Sequence, residues 1–124
     1  MNASRPTTIL CIDDDVETLK CHSLLLKING YSVITASSGA DGLQMLSDGQ
    51  VVDLVLLDYM MTGMTGEQVA KELKHTRPAV PVVIISGFPD VPQTLLTIVD
   101  GFVQKGKEPE LIIGAVASAL ARNR

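Results

Sequence analysis

Asp58 closes the run Val52-Asp53-Leu54-Val55-Leu56-Leu57 and precedes the loop Tyr59-Met60-Met61-Thr62-Gly63-Met64-Thr65-Gly66. A run so rich in Val and Leu has the composition of a strand buried on both faces of a parallel sheet. Open α/β sheets gather ligands just beyond the carboxyl ends of such strands. Thr8-Ile9-Leu10-Cys11-Ile12 ends the same way, in Asp13-Asp14-Asp15. Folding would bring these carboxylates together at one sheet edge, where their repulsion is costly unless a cation offsets it. Asp13, Asp14 and Asp58 suit a hard divalent ion: Mg²⁺ takes oxygen ligands in octahedral geometry, keeps several waters, and binds one or two carboxylates together with a phosphate. A backbone carbonyl of the loop after Asp58 is a further candidate ligand.

The elements that must position these acids follow from pattern. Strand-like runs at Thr8 to Ile12, Ser32 to Ala36, Val52 to Leu57, Val80 to Ile85 and Gly101 to Val103 alternate with helical stretches, the signature of an α/β fold with a parallel sheet. The first helix is expected from Val16 to Asn29, capped by Asp15, stopped at Gly30, and burying Cys21, Leu24, Leu25 and Ile28 at i, i+3, i+4 and i+7. Ser38-Gly39-Ala40-Asp41 and Thr65-Gly66-Glu67-Gln68 have the capping-box spacing and mark two more helix starts. The last helix is expected to open at Glu108-Pro109 and to bury Ile112, Ala115, Val116 and Ala119.

Composition excludes several classes. With 124 residues, 46 % of them hydrophobic and 19 % charged, the chain can build one core, expected over residues 8–124 after a short tail at 1–7. No apolar run approaches the length of a membrane helix and no signal-like core opens the chain, so a cytoplasmic location is expected. Net charge is −4 without a basic block, which argues against nucleic acid as a direct partner. Cys11 and Cys21 read as buried small apolar residues, and His22 and His75 as structural. Gly101-Phe102-Val103-Gln104-Lys105-Gly106-Lys107 matches the start of a phosphate-binding loop, but Glu108 stands where that motif needs Ser or Thr.

The motifs arrive in an order that resembles the receiver domain of two-component response regulators, from Thr8 to about Ala121. Ile9-Leu10-Cys11-Ile12-Asp13-Asp14 is similar to that family's first strand and acidic pair, and Asp53 to Met61 to its phosphoacceptor strand. Val82-Val83-Ile84-Ile85-Ser86-Gly87 resembles the strand ending in its Ser/Thr, and Phe102-Val103-Gln104-Lys105 its aromatic residue and lysine. The resemblance implies a doubly wound five-stranded parallel sheet of flavodoxin-like order 2-1-3-4-5, with helices on both faces. It implies that Asp58 takes a phosphoryl group from a sensor histidine kinase or a histidine phosphotransfer protein. Mg²⁺ would be held by Asp13, Asp14, Asp58 and the Met60 carbonyl; Lys105 would pair with a phosphoryl oxygen, and Ser86 and Phe102 would form the switch. By the same resemblance Met60 and Phe88, two residues after Asp58 and two after Ser86, would flank the approach of a hydrolytic water and, being apolar, would prolong the lifetime of the phosphorylated state. Such a protein is a switch, not an enzyme beyond its own phosphorylation and slow dephosphorylation.

Three departures from the family pattern carry expectations. Thr62 stands where the family often has Pro, which predicts a looser loop. Gly106 replaces the Pro that usually follows the lysine. The count between Ser86 and Lys105 is short, with Pro89 and Pro92 breaking its start, which predicts a stunted fourth helix of two turns at most. Two other readings compete. Asp13-Asp14-Asp15-Val16 loosely resembles the start of haloacid-dehalogenase-type phosphatases, with Asp13 as nucleophile, but leaves Asp58 without a role. A degenerate receiver would bind a partner without being phosphorylated. Taken singly, Asp13 to Asp15 would be a capping turn, Lys105 a surface lysine, Ser86 a turn residue and Phe102 a core aromatic.

Overall fold

The computed structural model describes residues 5–106 and 109–122. Strands and helices alternate as β1 (Thr8–Ile12), α1 (Val16–Ile28), β2 (Ser32–Ala36), α2 (Gly39–Ser47), β3 (Leu54–Asp58), α3 (Gly66–Thr76), β4 (Val82–Ser86), α4 (Gln93–Leu96), β5 (Gly101–Gln104) and α5 (Pro109–Arg122). The five strands form one parallel sheet in the order β2-β1-β3-β4-β5, the doubly wound arrangement that the resemblance implied.

Because successive strand residues point to opposite faces, two cores form. Leu10, Ile12, Val55, Leu57, Val82 and Ile84 pack with Leu46 of α2, Val69, Ala70 and Leu73 of α3, and Leu95 of α4. Ile9, Cys11, Leu54, Leu56, Val83 and Ile85 pack with Leu19 and Leu26 of α1 and Ile112, Val116 and Ala119 of α5. Full burial of the central strands explains why they lack polar alternation.

Local signals held at most helix ends. Asp15 accepts from the Glu17 N–H and the Thr18 hydroxyl, Gly30 follows the Asn29 C-cap at φ +95°, and Ser38 accepts from Asp41 N. Thr65 and Gln68 form the reciprocal capping box that opens α3. Pro109 is the first residue of α5, while Glu108 lies outside the described residues. α4 is a single four-residue turn, as the short count required.

Three expectations are corrected. Of the expected buried face of α1, only Leu25 packs, partly buried, against the core: Leu24 and Ile28 are 61 % and 73 % exposed, Cys21 is exposed, and Leu19 and Leu26 are the residues buried against the sheet. The helix is apolar on more than one side, so two stripes fit the same period, and docking against β1 chose the other. β4 starts at Val82, because Pro81 has no N–H for a ladder and the Val80 N–H closes a turn on the Arg77 carbonyl. β3 spans Leu54–Asp58, so the acid is the last strand residue. Of the expected tail, residues 1–4 lie outside the described residues; Arg5 pairs with Asp53 at 2.8 Å, and the Thr7 carbonyl accepts from Ser32 N.

Candidate functional site

Parallel registry builds the site. Ile12 of β1 lies opposite Leu57 of β3, so Asp13 and Asp58 follow side by side where the strands end. The next strand ends in Ser86, whose register partner is Gln104, and Lys105 comes just after it. Its backbone N–H donates to the Ser86 carbonyl at 2.6 Å. Carboxylate oxygens of Asp13, Asp14 and Asp58 lie within 4.8 Å of one another. Lys105 Nζ reaches across, 3.0 Å from Asp58 Oδ1 and 3.2 Å from Asp13 Oδ2. Asp13 and Asp58 are buried, at 3 % and 4 % exposure, while Asp14 is exposed.

Charge is unbalanced there. Three carboxylates gather where two of them share one ammonium, and burial, followed by the charges of Asp13 and Asp14, pushes Asp58 up to about 6 against the opposing pull of Lys105. Burial works against the Lys105 ammonium, but its hydrogen bond to Asp58 and the charges of Asp58 and Asp13 outweigh that, so it titrates above the usual lysine range. A carboxylate of raised basicity beside a fixed cation is a good nucleophile toward an anionic electrophile, provided further positive charge arrives. All donors offered by the three acids are hard oxygens, which fits Mg²⁺ rather than a thiophilic metal. Cys11 beneath them is inert: burial and the Asp13 charge push its thiol up to about 12. Burial holds the half-buried His22 below the usual imidazole range, with Asp13 and Lys105 acting in opposite senses.

The remaining expected residues surround this centre. Ser86 is fully buried at the end of β4, and its Oγ accepts from Phe88 N at 3.0 Å. Phe102 is partly buried against the cluster that holds Ile84 and Leu95. Met60 and Phe88, two residues beyond Asp58 and Ser86, are 54 % and 53 % exposed. Gly106 follows Lys105 at φ +83°, a conformation open to glycine and closed to proline. Lys105 thus reaches the acids with a left-handed glycine, not a proline, after it, its own N–H being held by the Ser86 carbonyl.

Two residues of the site escaped the sequence reading. Thr62, expected to loosen its loop, ties it down: its N–H and Oγ donate to Asp14 Oδ2 at 3.0 and 3.3 Å. No local pattern announces a bond across 48 positions. Gly66 lets α3 approach the acid strand, because a Cβ there would stand 2.5 Å from the Asp58 carbonyl and 2.7 Å from Tyr59 Cα. The Thr-Gly pair in the capping box was a signal for a helix start, not for this contact.

Comparison with known proteins agrees with this geometry. Residues 9–117 match the model of the response regulator receiver domain. The transcriptional regulatory protein GlrR of Escherichia coli K12 is 34 % identical over 122 residues, covering 96 % of this chain but 27 % of that protein. YkoG of Bacillus subtilis, described as an uncharacterized transcriptional regulatory protein, is 30 % identical over 118 residues, covering 93 % of this chain and 51 % of that protein. The chain therefore spans about half or less of these curated relatives. A receiver domain structure from Clostridium thermocellum superposes with a TM-score of 0.85 at 28 % identity, over 94 % of this chain and 95 % of that one. With its strand order, its acids at adjoining strand ends and this match over most of its length, the chain belongs to the receiver domains of two-component response regulators, which are phosphorylation-based signalling switches.

Proposed function

We propose that Asp58 is the phosphoacceptor of a Mg²⁺-dependent switch, and that the donor is a phosphohistidine on a sensor histidine kinase or a histidine phosphotransfer protein. An Asp58 carboxylate oxygen attacks phosphorus: the O–P bond forms, the P–N bond breaks, and its electron pair stays on the imidazole, which takes up a proton. The observation that carries this reading is the Asp58 carboxylate, buried at a strand end, 3.0 Å from Lys105 Nζ and grouped with Asp13 and Asp14. Phosphoryl transfer needs little from a protein beyond positioning and neutralisation of charge.

When bound by Asp13, Asp14, Asp58 and the Met60 carbonyl, Mg²⁺ supplies positive charge to the phosphoryl oxygens. Lys105, a compact point charge on a flexible stem, would leave the carboxylate for one of those oxygens. The Ser86 hydroxyl would donate to another and draw its loop inward, and Phe102 would turn into the space vacated. Met60 and Phe88 carry no group that orients a water, so they would shield the acyl phosphate and prolong its life. The switching unit is residues 8–124 in the cytoplasm; no described helix is long and apolar enough to cross a membrane.

The test is incubation with acetyl phosphate and Mg²⁺, followed by mapping of the adduct by mass spectrometry. One phosphoryl group on Asp58, lost in Asp58→Asn and absent with excess chelator, is the expected result. An adduct that persists in Asp58→Asn and vanishes in Asp13→Asn would favour phosphatase-type chemistry at Asp13. No adduct under any condition would leave a binding module without phosphorylation.

A further inference from the structure

We infer that Thr62 is a positioning residue that holds Asp14 and the loop after Asp58 in register for cation binding. The inference rests on the reading of Asp14 as a cation ligand. Asp14 is exposed, whereas Asp13 and Asp58 are buried, so packing does not fix its carboxylate. What fixes it is Thr62, with backbone N–H and hydroxyl both on Oδ2, at 3.0 and 3.3 Å. Both donors fall on one oxygen, so Oδ1 keeps its lone pairs for a cation.

The same residue controls the loop. Between β3 and α3 the chain is anchored at its ends, where Tyr59 N–H donates to the Ile85 carbonyl at 2.8 Å and Gly66 N–H to the Tyr59 carbonyl at 2.9 Å. Among the described residues, the two Thr62 bonds are the hydrogen bonds that join this loop to the Asp13–Asp15 loop. Thr62 thus links an acid on one loop to Met60 on the other, and both belong to the proposed cation site. Hydrogen bonds to ionised acceptors are strong and directional, and groups that orient metal ligands typically change affinity by about 10- to 100-fold when removed. A proline at this position has no N–H to give; this chain replaces a stiff loop with a latch between loops.

The experiment is calorimetric titration of Mg²⁺ into the unphosphorylated full chain, paired with acetyl phosphate labelling across Mg²⁺ concentrations. Thr62→Pro, which removes both donors, is expected to weaken Mg²⁺ about tenfold, and Thr62→Ala by about threefold, while Thr62→Ser stays within about twofold of the parent. Half-saturating Mg²⁺ for labelling should rise by the same factors, and the rate at saturating Mg²⁺ should hold, because the effect acts through Asp14 and not on phosphorus. Parental Mg²⁺ affinity in folded Thr62→Pro and Thr62→Ala overturns the role. So does a labelling rate that falls at saturating Mg²⁺ with affinity unchanged. Asp14→Ala separates the two levels: parental affinity there overturns the cation site itself, whereas weakened binding there beside unaffected Thr62 variants overturns only the latch.

Discussion

The two ends of the sheet use the same residue type for opposite ends. At the amino ends, Asp53 directly precedes β3 and accepts from Thr8 N at 2.8 Å while holding Arg5 through both oxygens. Asp100 directly precedes β5, accepts from Val82 N at 2.8 Å and lies 3.6 Å from Lys74 Nζ, and its carbonyl accepts from Arg122. Each of these acids has a backbone donor and a cation of its own. At the carboxyl ends, Asp13 and Asp58 share the ammonium of Lys105, and Asp14, grouped with them, has no cation beside it among the described residues, its Oδ2 accepting from Thr62. A satisfied carboxylate closes a sheet edge; an undersupplied one leaves a demand for positive charge, which a cation and then a phosphoryl group can meet.

The sharpest way to break this contrast is to exchange the acids for amides. Asp58→Asn is expected to abolish acetyl phosphate labelling, while Asp53→Asn and Asp100→Asn keep it; labelling lost equally in all three would mean that the two ends are not functionally distinct. The next largest effect is on stability. Asp100→Ala leaves the Val82 N–H without its partner in a part-buried place and removes the acid beside Lys74, so urea unfolding should show a loss of about 1–3 kcal/mol. Asp53→Ala should fall in the same range, and a change under about 0.5 kcal/mol in both would remove the structural half of the comparison.

A third prediction has the opposite sign. Asp58 titrates near 6 in the folded chain against 3.8 for a free side chain, so ionisation is disfavoured by folding. The associated stability is fully present below the unfolded value, near pH 4, and is lost as pH rises through about 6. Without Mg²⁺ and at pH 7, Asp58→Asn should therefore be more stable than the parent, by on the order of 1–2 kcal/mol, with the difference gone near pH 4. A variant that is less stable at pH 7 would show that the Lys105 pair outweighs the crowding.

The smallest effect expected is on lifetime. Met60→Asn with Phe88→Glu supplies groups that can hold a water in line behind phosphorus, and decay after removal of acetyl phosphate should quicken by about tenfold, or about 1.4 kcal/mol of barrier. Decay at the parental rate would remove these two residues from control of the signal.

Strand ends were legible before the fold because three independent signals coincide there: continuous apolar runs, acids directly after them, and helix caps that follow. β1 and β2 match their expected bounds, and Asp13, Asp14, Asp58 and Lys105 converge as expected. α1 was misread because Leu24 and Ile28 repeat at the same period as Leu19 and Leu26, and periodicity records a stripe without saying which stripe meets the sheet. Thr62 was misread because the position was judged by the missing proline, whereas its side chain and N–H work through Asp14 on another loop.

By itself, then, the sequence determined the alternation of strands and helices, the brevity of α4 and the placement of acids at strand ends, since these depend on composition, spacing and local caps. Tertiary structure alone decided which face of α1 is buried, that Lys105 reaches Asp58 while Gly106 turns away at φ +83°, and that Thr62 closes on Asp14. The physical reason is range: propensity and periodicity act over a few neighbours, whereas burial, ion pairing and hydrogen bonds between loops exist only after distant strand ends have been brought into register.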